Sequence, residues 1–392
     1  MDVENLTDES GQLEDQSLSV EPEELESDDP ANLPSAKEPF DTSKIQISHK
    51  TLALSNLIAR LRNGEIKLDT EFQRLGNLWN RAQQSRLIES LLLRFPIPAF
   101  FFDGTNDDEW LVVDGLQRLS ALQNYVIDGM YKGARFGLKG LEFLSNYEDK
   151  PFSDLPRNLQ RRIEESQVTV YVIDPGTPDE VKFNLFKRIN TGGLVLTSQE
   201  IRHALFQPQP AAFVRELAQL PEFIMATGGK IRTDRMEDRD FATRFLAFVL
   251  QEPADYRPDM DSFLNRAMNI LRDMAGNGQT REFNRLQEQF KRTMAVATEI
   301  FGKDAFRKRR DKNDSRKPIN KALFEVWSAS LARLRPEQQQ LLIDRRETLI
   351  EKFIEIMNDE RFNRSITAGT GELSNVNNRY QTISRIIQET LA

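Results

Sequence analysis

Apolar positions divide the chain near residue 197. Before it, stretches with helical spacing alternate with short apolar runs. Beyond it, helical spacing is all that recurs. Over 49–63, Leu52, Leu54, Leu57, Ile58 and Leu61 share one face and Gly64 follows as a helix-ending residue, which predicts a first helix. The stretch from Ile66 to Trp79 breaks that period. Leu87, Ile88, Leu91 and Leu92 restore it in a second helix that stops before Pro96. Two apolar runs, 98–102 (PAFFF) and 110–114 (WLVVD), flank the turn-rich DGTNDDE and predict a β-hairpin. The second run leads through Asp114 and Gly115 into a helix marked by Leu119, Leu122 and Val126. A strand is expected over 168–174 and a helix over 178–189, where Val181, Leu185 and Ile189 repeat every four residues. Thr197 followed by Glu200 is a capping-box signature. Helices are then expected over 209–220, 238–252, 260–275, 280–301, 317–335, 337–358 and 374–391.

The pattern predicts an α+β part with a small mixed sheet, followed by an all-α part. At 392 residues the chain exceeds what one core usually organises. Residues 1–40 hold 13 acids and one base, Lys37, with almost no aromatics. Such a segment cannot bury enough apolar area to offset its ordering entropy, so a disordered acidic tail is expected there. The division expected is a tail over 1–40, a mixed domain over 41–206 and a helical domain over 207–392. With the tail at −12, the overall charge of −8 leaves about +4 on the remainder. Positive charge gathers between Lys303 and Lys317, where Lys308, Arg309 and Arg310 suit either a solvated loop or a patch that contacts nucleic-acid phosphates.

The chain has no cysteine and two histidines, His49 and His203. Thiolate chemistry, disulfides and multi-imidazole metal sites are thereby excluded. His203 sits on an apolar-rich helix and reads as a packing residue. No stretch has the roughly 18 consecutive apolar residues of a membrane span, and the first residues do not resemble a secretory signal. A cytoplasmic protein with no membrane partner is the expectation.

Chemistry concentrates at 112–122, VVDGLQRLSAL, where a strand's end delivers a carboxylate, a glycine turn, an amide and a guanidinium. Backbone N–H groups at the helix start, close approach at Gly115 and a bidentate Arg118 would suit a phosphate. Asp114 could hold Mg²⁺ and Gln117 could position a nucleophile. The alternative is that Asp114 caps the helix and pairs with Arg118. Gln73 and Arg74 form a second amide–guanidinium pair in the irregular stretch before Trp79, itself read as a core anchor. Asn190 and Thr191 open a Gly-Gly turn behind Lys187 and Arg188, which reads as an anion nest or as a helix end and connector.

Taken in order, F-Q-R and a following Trp, P-I-P, D-G-x-Q-R and I-N-T-G-G-x-x-L-T-x-x-E-I-R resemble the N-terminal domain of GmrSD-type restriction enzymes, over roughly residues 50–206. The resemblance implies a ParB/sulfiredoxin-like fold and nucleotide binding, with hydrolysis, that controls a nuclease acting on foreign or modified DNA. It assigns Asp114, Gly115, Gln117 and Arg118 to the nucleotide site, with Gln73, Arg74, Asn190 and Thr191 around it. An NTP with Mg²⁺ is the implied ligand, and DNA and a separately encoded nuclease or ATPase are the implied partners. Leu116 stands where the family motif D-G-Q-Q-R has its first Gln, which leaves binding better supported than hydrolysis. Residues 207–392 offer no H-N-H nuclease signature. A DNA-binding or scaffold module without turnover is the alternative reading. Sulfiredoxin-type chemistry is excluded, because its nucleophile is a cysteine.

Overall fold

A computed structural model describes residues 19–24, 44–68, 79–189 and 196–392. Contacts separate two compact units, one made of Glu38–Leu205 and the other of Phe206–Ala392 joined by N-terminal residues.

In the first unit, β1 (Ile47–Ala53), α1 (Leu54–Arg62), β2 (Ile66–Lys67), α2 (Arg81–Leu92), β3 (Phe100–Asp103), β4 (Trp110–Asp114) and α3 (Leu116–Leu122) follow in order. A small hairpin, β5 (Met130–Tyr131) with β6 (Ala134–Arg135), precedes α4 (Arg157–Glu164), β7 (Gln167–Ile173), α5 (Asp179–Ile189) and α6 (Ser198–Leu205). Five strands form a mixed sheet in the order β1-β7-β3-β4-β2. β1 runs antiparallel to β7 and β3 to β4, whereas β7 with β3 and β4 with β2 are parallel.

Both faces of this sheet are covered. That is why PAFFF and WLVVD read as continuous apolar runs rather than alternating ones. Phe100, Phe102, Trp110 and Val112 pack with Leu57, Ile88, Leu91 and Leu119 on one side. Phe101, Leu111 and Val113 belong to a second cluster with Phe183, Phe186 and Ile201.

The hairpin, β7, α5 and the capping box are where the sequence places them. Thr197 Oγ1 accepts from Glu200 N at 3.1 Å, and Glu200 Oε2 accepts from Thr197 N at 2.7 Å. The first helix is shorter than expected. Residues 49–53 belong instead to β1, which pairs with β7 along its whole length from Ile47↔Ile173 to Ala53↔Gln167. Helical spacing of Leu52 and Leu54 is genuine but local, and the seven-residue ladder offered by β7 overrides it.

The second unit is helical: α7 (Gln209–Ala218), α8 (Pro221–Thr227), α9 (Glu237–Leu250), α10 (Met260–Gly276), α11 (Thr280–Phe301), α12 (Lys321–Ala332), α13 (Pro336–Asp344), α14 (Arg346–Met357), α15 (Glu360–Ser365) and α16 (Leu373–Leu391). The expected helix over 337–358 is two helices with a break at Arg345. The helix expected from 317 starts at Lys321, capped by Asn320 Oδ1, which accepts from Leu323 N at 2.8 Å. Residues 19–24, part of the segment expected to be disordered, are instead held against this unit. Val20 bridges Ile319 in parallel, Ile319 N donates to Ser19 O at 3.1 Å and Glu21 N donates to Ile319 O at 2.8 Å.

Each unit buries a glutamate whose carboxylate is held by donors of the same unit. Glu325 is 0% exposed and accepts from Arg379 Nε at 3.1 Å and Nη2 at 2.6 Å, while Arg244 Nη1 lies 3.4 Å away. In the first unit Glu89 accepts from the backbone N–H groups of Glu142, Phe143 and Leu144 at 2.8–3.0 Å. Burial alone would raise the Glu89 pKa. The three backbone donors and Arg86 outweigh it and hold the carboxyl below its ordinary value.

A group whose folded pKa is depressed contributes stability above its unfolded pKa and loses it as pH falls. Urea denaturation as a function of pH should therefore show stability falling below about pH 4.5, with part of that slope absent in Glu89→Gln. Glu89→Ala, which orphans three donors, should cost about 3 kcal/mol at pH 7. Glu325→Ala should cost about 3–5 kcal/mol in the same measurement, because it strands Arg379 and Arg244 without their shared carboxylate.

Candidate functional site

The D-G-x-Q-R segment lies where the end of β4 turns into α3. Gly115 makes the turn in the left-handed region, with φ 104°. A Cβ placed there would meet Phe100 Cδ1 at 2.5 Å and Arg118 Nη2 at 3.4 Å. The glycine is thus required by the packing of Phe100 as well as by the turn itself. α3 continues into a π-helical turn, Gln123–Asp128, which ends at Gly129.

Arg118 is turned inward. Its Nη2 donates to Asp114 Oδ2 at 2.8 Å, and its Nη1 donates to the carbonyls of Pro98 and, at 3.1 Å, Ala99. The guanidinium carbon lies 4.8 Å from the centre of the Phe100 ring. Burial lowers the Arg118 pKa, and the Asp114 carboxylate opposes that shift. Arg118 therefore fastens the strand end to the start of β3 and fixes one oxygen of Asp114, whose side chain stays 30% exposed.

Gln117 Oε1 accepts from Trp79 N at 3.2 Å. Trp79 is half-buried rather than a core anchor. Its carbonyl accepts from Tyr131 Oη at 3.3 Å and from Gln84 Nε2 at 3.2 Å. Asp114, Gly115, Gln117 and Arg118 thus lie together where β4 ends and α3 begins, with Arg118 bonded directly to Asp114. Gln73, Arg74, Asn190 and Thr191 lie outside the described residues.

Sequence reasoning missed Pro98, Ala99 and Phe100 as partners of this junction. Their signal was the P-I-P step into β3, which places two strand-start carbonyls within reach of α3.

A Mg²⁺ ion at this site would have one carboxylate to hold it. Among the described residues no group of three or more His, Cys, Asp or Glu side chains could form a metal cage. One half-exposed carboxylate fits Mg²⁺ that arrives on a nucleotide, because that ion keeps most of its waters and takes its other ligands from phosphates.

The basic loop between α11 and α12 is largely engaged with the protein. Lys308 Nζ pairs with Glu21 Oε1 at 2.5 Å and donates to Thr367 Oγ1 at 2.8 Å. Arg309 Nη2 donates to Lys312 O at 2.7 Å, and the backbone N–H of Arg310 donates to Asp314 Oδ2 at 2.7 Å. Arg307 reaches the carbonyls of Lys317 and Thr227, and burial with Arg316 nearby brings its pKa down to about 10. Of the three residues expected to contact nucleic acid, Lys308 and Arg309 have intramolecular carboxylate partners, Glu21 and Asp304, and Arg310 is exposed. His203 is buried on α6, in keeping with a packing role.

No helix among the described residues is long and apolar enough to cross a membrane. No curated protein and no solved structure matches the chain. A family model does match. That of the GmrSD restriction endonuclease N-terminal domain covers residues 54–207, a span that holds the sheet from β2 to β7, the D-G-x-Q-R junction and the capped helix α6. Residues 54–207 of this chain are therefore a GmrSD-type N-terminal domain.

Proposed function

We propose that the protein is a nucleotide-binding regulatory or sensor component of a restriction system directed against foreign DNA. The restriction context rests on the GmrSD N-terminal domain at residues 54–207. The nucleotide site rests on the junction at the end of β4, where an inward Arg118 fixes one oxygen of Asp114 at 2.8 Å and leaves the side chain partly open to solvent. A nucleoside triphosphate carrying Mg²⁺ is the ligand that this donor set suits. Asp114 would hold the ion, and the N–H groups that follow Gly115 would face the phosphates. Gln117 would orient a water or a ligand hydroxyl, and Arg118 would position Asp114 rather than touch the ligand.

A second reading, a scaffold that recruits a separately encoded nuclease or ATPase without nucleotide turnover, draws on the same inward Arg118. A guanidinium bound to two backbone carbonyls and a carboxylate has a structural use of its own.

Phosphate release from each of the four NTPs with Mg²⁺, with and without DNA, separates the two readings. Release that is lost in Asp114→Ala while the circular dichroism spectrum is unchanged is the expected result. Absence of both release and any nucleotide-induced rise in melting temperature would leave the scaffold reading standing. Arg118→Ala should lower the melting temperature of the nucleotide-free protein by several degrees, since it removes a buried charge-assisted network worth about 1.5–3 kcal/mol. A merely ligand-contacting arginine would leave that temperature unchanged.

A further inference from the structure

Residues 19–24 occupy a cleft of the helical unit in the manner of a bound peptide. The backbone adds to Ile319 through the two hydrogen bonds already given, and Thr370 N donates to Glu24 O at 2.9 Å. Alternate side chains face inward: Glu21 and Glu23 are half-buried, Pro22 and Glu24 exposed. Glu21 accepts from Lys308 Nζ at 2.5 Å and from Asn320 Nδ2 at 3.0 Å. Glu23 accepts from Arg244 Nη1 at 3.1 Å and Nη2 at 2.6 Å, a two-pronged pairing, and from Thr370 Oγ1 at 2.8 Å. Main-chain pairing gives such an arrangement its affinity, and alternate side-chain pockets give it selectivity.

The cleft does not need this segment to balance its charges. Arg244 also pairs with Asp240 and Glu325, Arg379 with Glu325, and Lys321 with Glu237 and Asp240. Asn320 also donates to Ile366 O and caps α12. Lys308, the remaining cation, is close enough to the surface to be hydrated, at 17% exposure. The segment supplies no fully buried apolar side chain; Val20 is half-buried. Its attachment is therefore polar, and departure leaves no stranded charge in the core.

We propose that this cleft is a recognition site for an extended acidic peptide with carboxylates two residues apart. Residues 19–24 are its tethered occupant, and they keep a partner's acidic segment out until displaced. Strand pairing to Ile319 favours a peptide over a nucleic acid, which has no backbone N–H and C=O groups to match it.

The test is fluorescence anisotropy with a labelled peptide spanning residues 17–27, titrated with the full chain as wild type and as the Glu21→Gln/Glu23→Gln double variant. Tethering gives the resident segment an effective concentration of about millimolar, so the wild type should bind the free peptide poorly. The double variant, with a weakened occupant, should bind it about ten-fold tighter or more, and added salt should weaken binding. Lys308→Ala placed in the double variant should reverse about ten-fold of that gain. Hydrogen exchange at the Ile319 and Thr370 amides should speed up in the double variant and slow again when peptide is added. Equal affinity for the two chains, or no binding by a folded double variant, overturns the proposal. So does loss of the helical circular dichroism signal in that variant, which would make the segment a permanent part of the core. Displacement of the segment by a DNA oligonucleotide but not by the peptide overturns it as well.

Discussion

A carboxylate with no access to water is the constraint around which the helical unit is arranged. Glu325 needs cations, and they come from α9 as Arg244 and from α16 as Arg379. Those cations are then buried too. Arg244 recruits Asp240 on its own helix, and Arg379 Nη1 donates to the carbonyls of Ser365 and Thr370. Three helices distant in sequence are thus brought to one point by the cost of leaving an ion unpaired. Lys321, at the first position of α12, extends the chain of charges to Glu237 and Asp240.

The first unit meets the same requirement with backbone instead of opposing side chains. Glu89 fills a loop's row of amide donors, and Arg118 fills the pair of carbonyls just before β3. In both cases a charged side chain on a helix ties down a segment without regular structure of its own. At the D-G-x-Q-R motif, Gly115 and Arg118 fix the end of β4, Gln117 holds the Trp79 N–H, and the Asp114 side chain stays partly open to solvent.

Much of this was legible in the sequence, and for identifiable reasons. Runs such as PAFFF and WLVVD announce strands covered on both faces, and the Thr197–Glu200 box announces a helix start through chemistry confined to four residues. The motif order located the GmrSD-type domain without any long-range contact. What escaped were features set by partners remote in sequence. β1 looks helical until β7 is present to pair with it. Arg118 looks like a phosphate ligand until the Pro98 and Ala99 carbonyls are known to lie beneath it. Residues 19–24 look like part of a featureless acidic tail, because composition cannot reveal that Lys308, Asn320, Arg244 and Thr370 converge to receive Glu21 and Glu23.

That last arrangement fixes an order of assembly. Glu21 and Asn320 meet although 299 positions separate them in the sequence. A ribosome makes the acidic segment first and its receptor last, and the sheet-containing unit can fold in between. For most of synthesis the segment has nowhere to dock. Its arrival closes loops of up to 347 positions, at an entropic cost that grows only logarithmically with loop length. Docking of residues 19–24 thus reports that the helical unit behind it has finished folding.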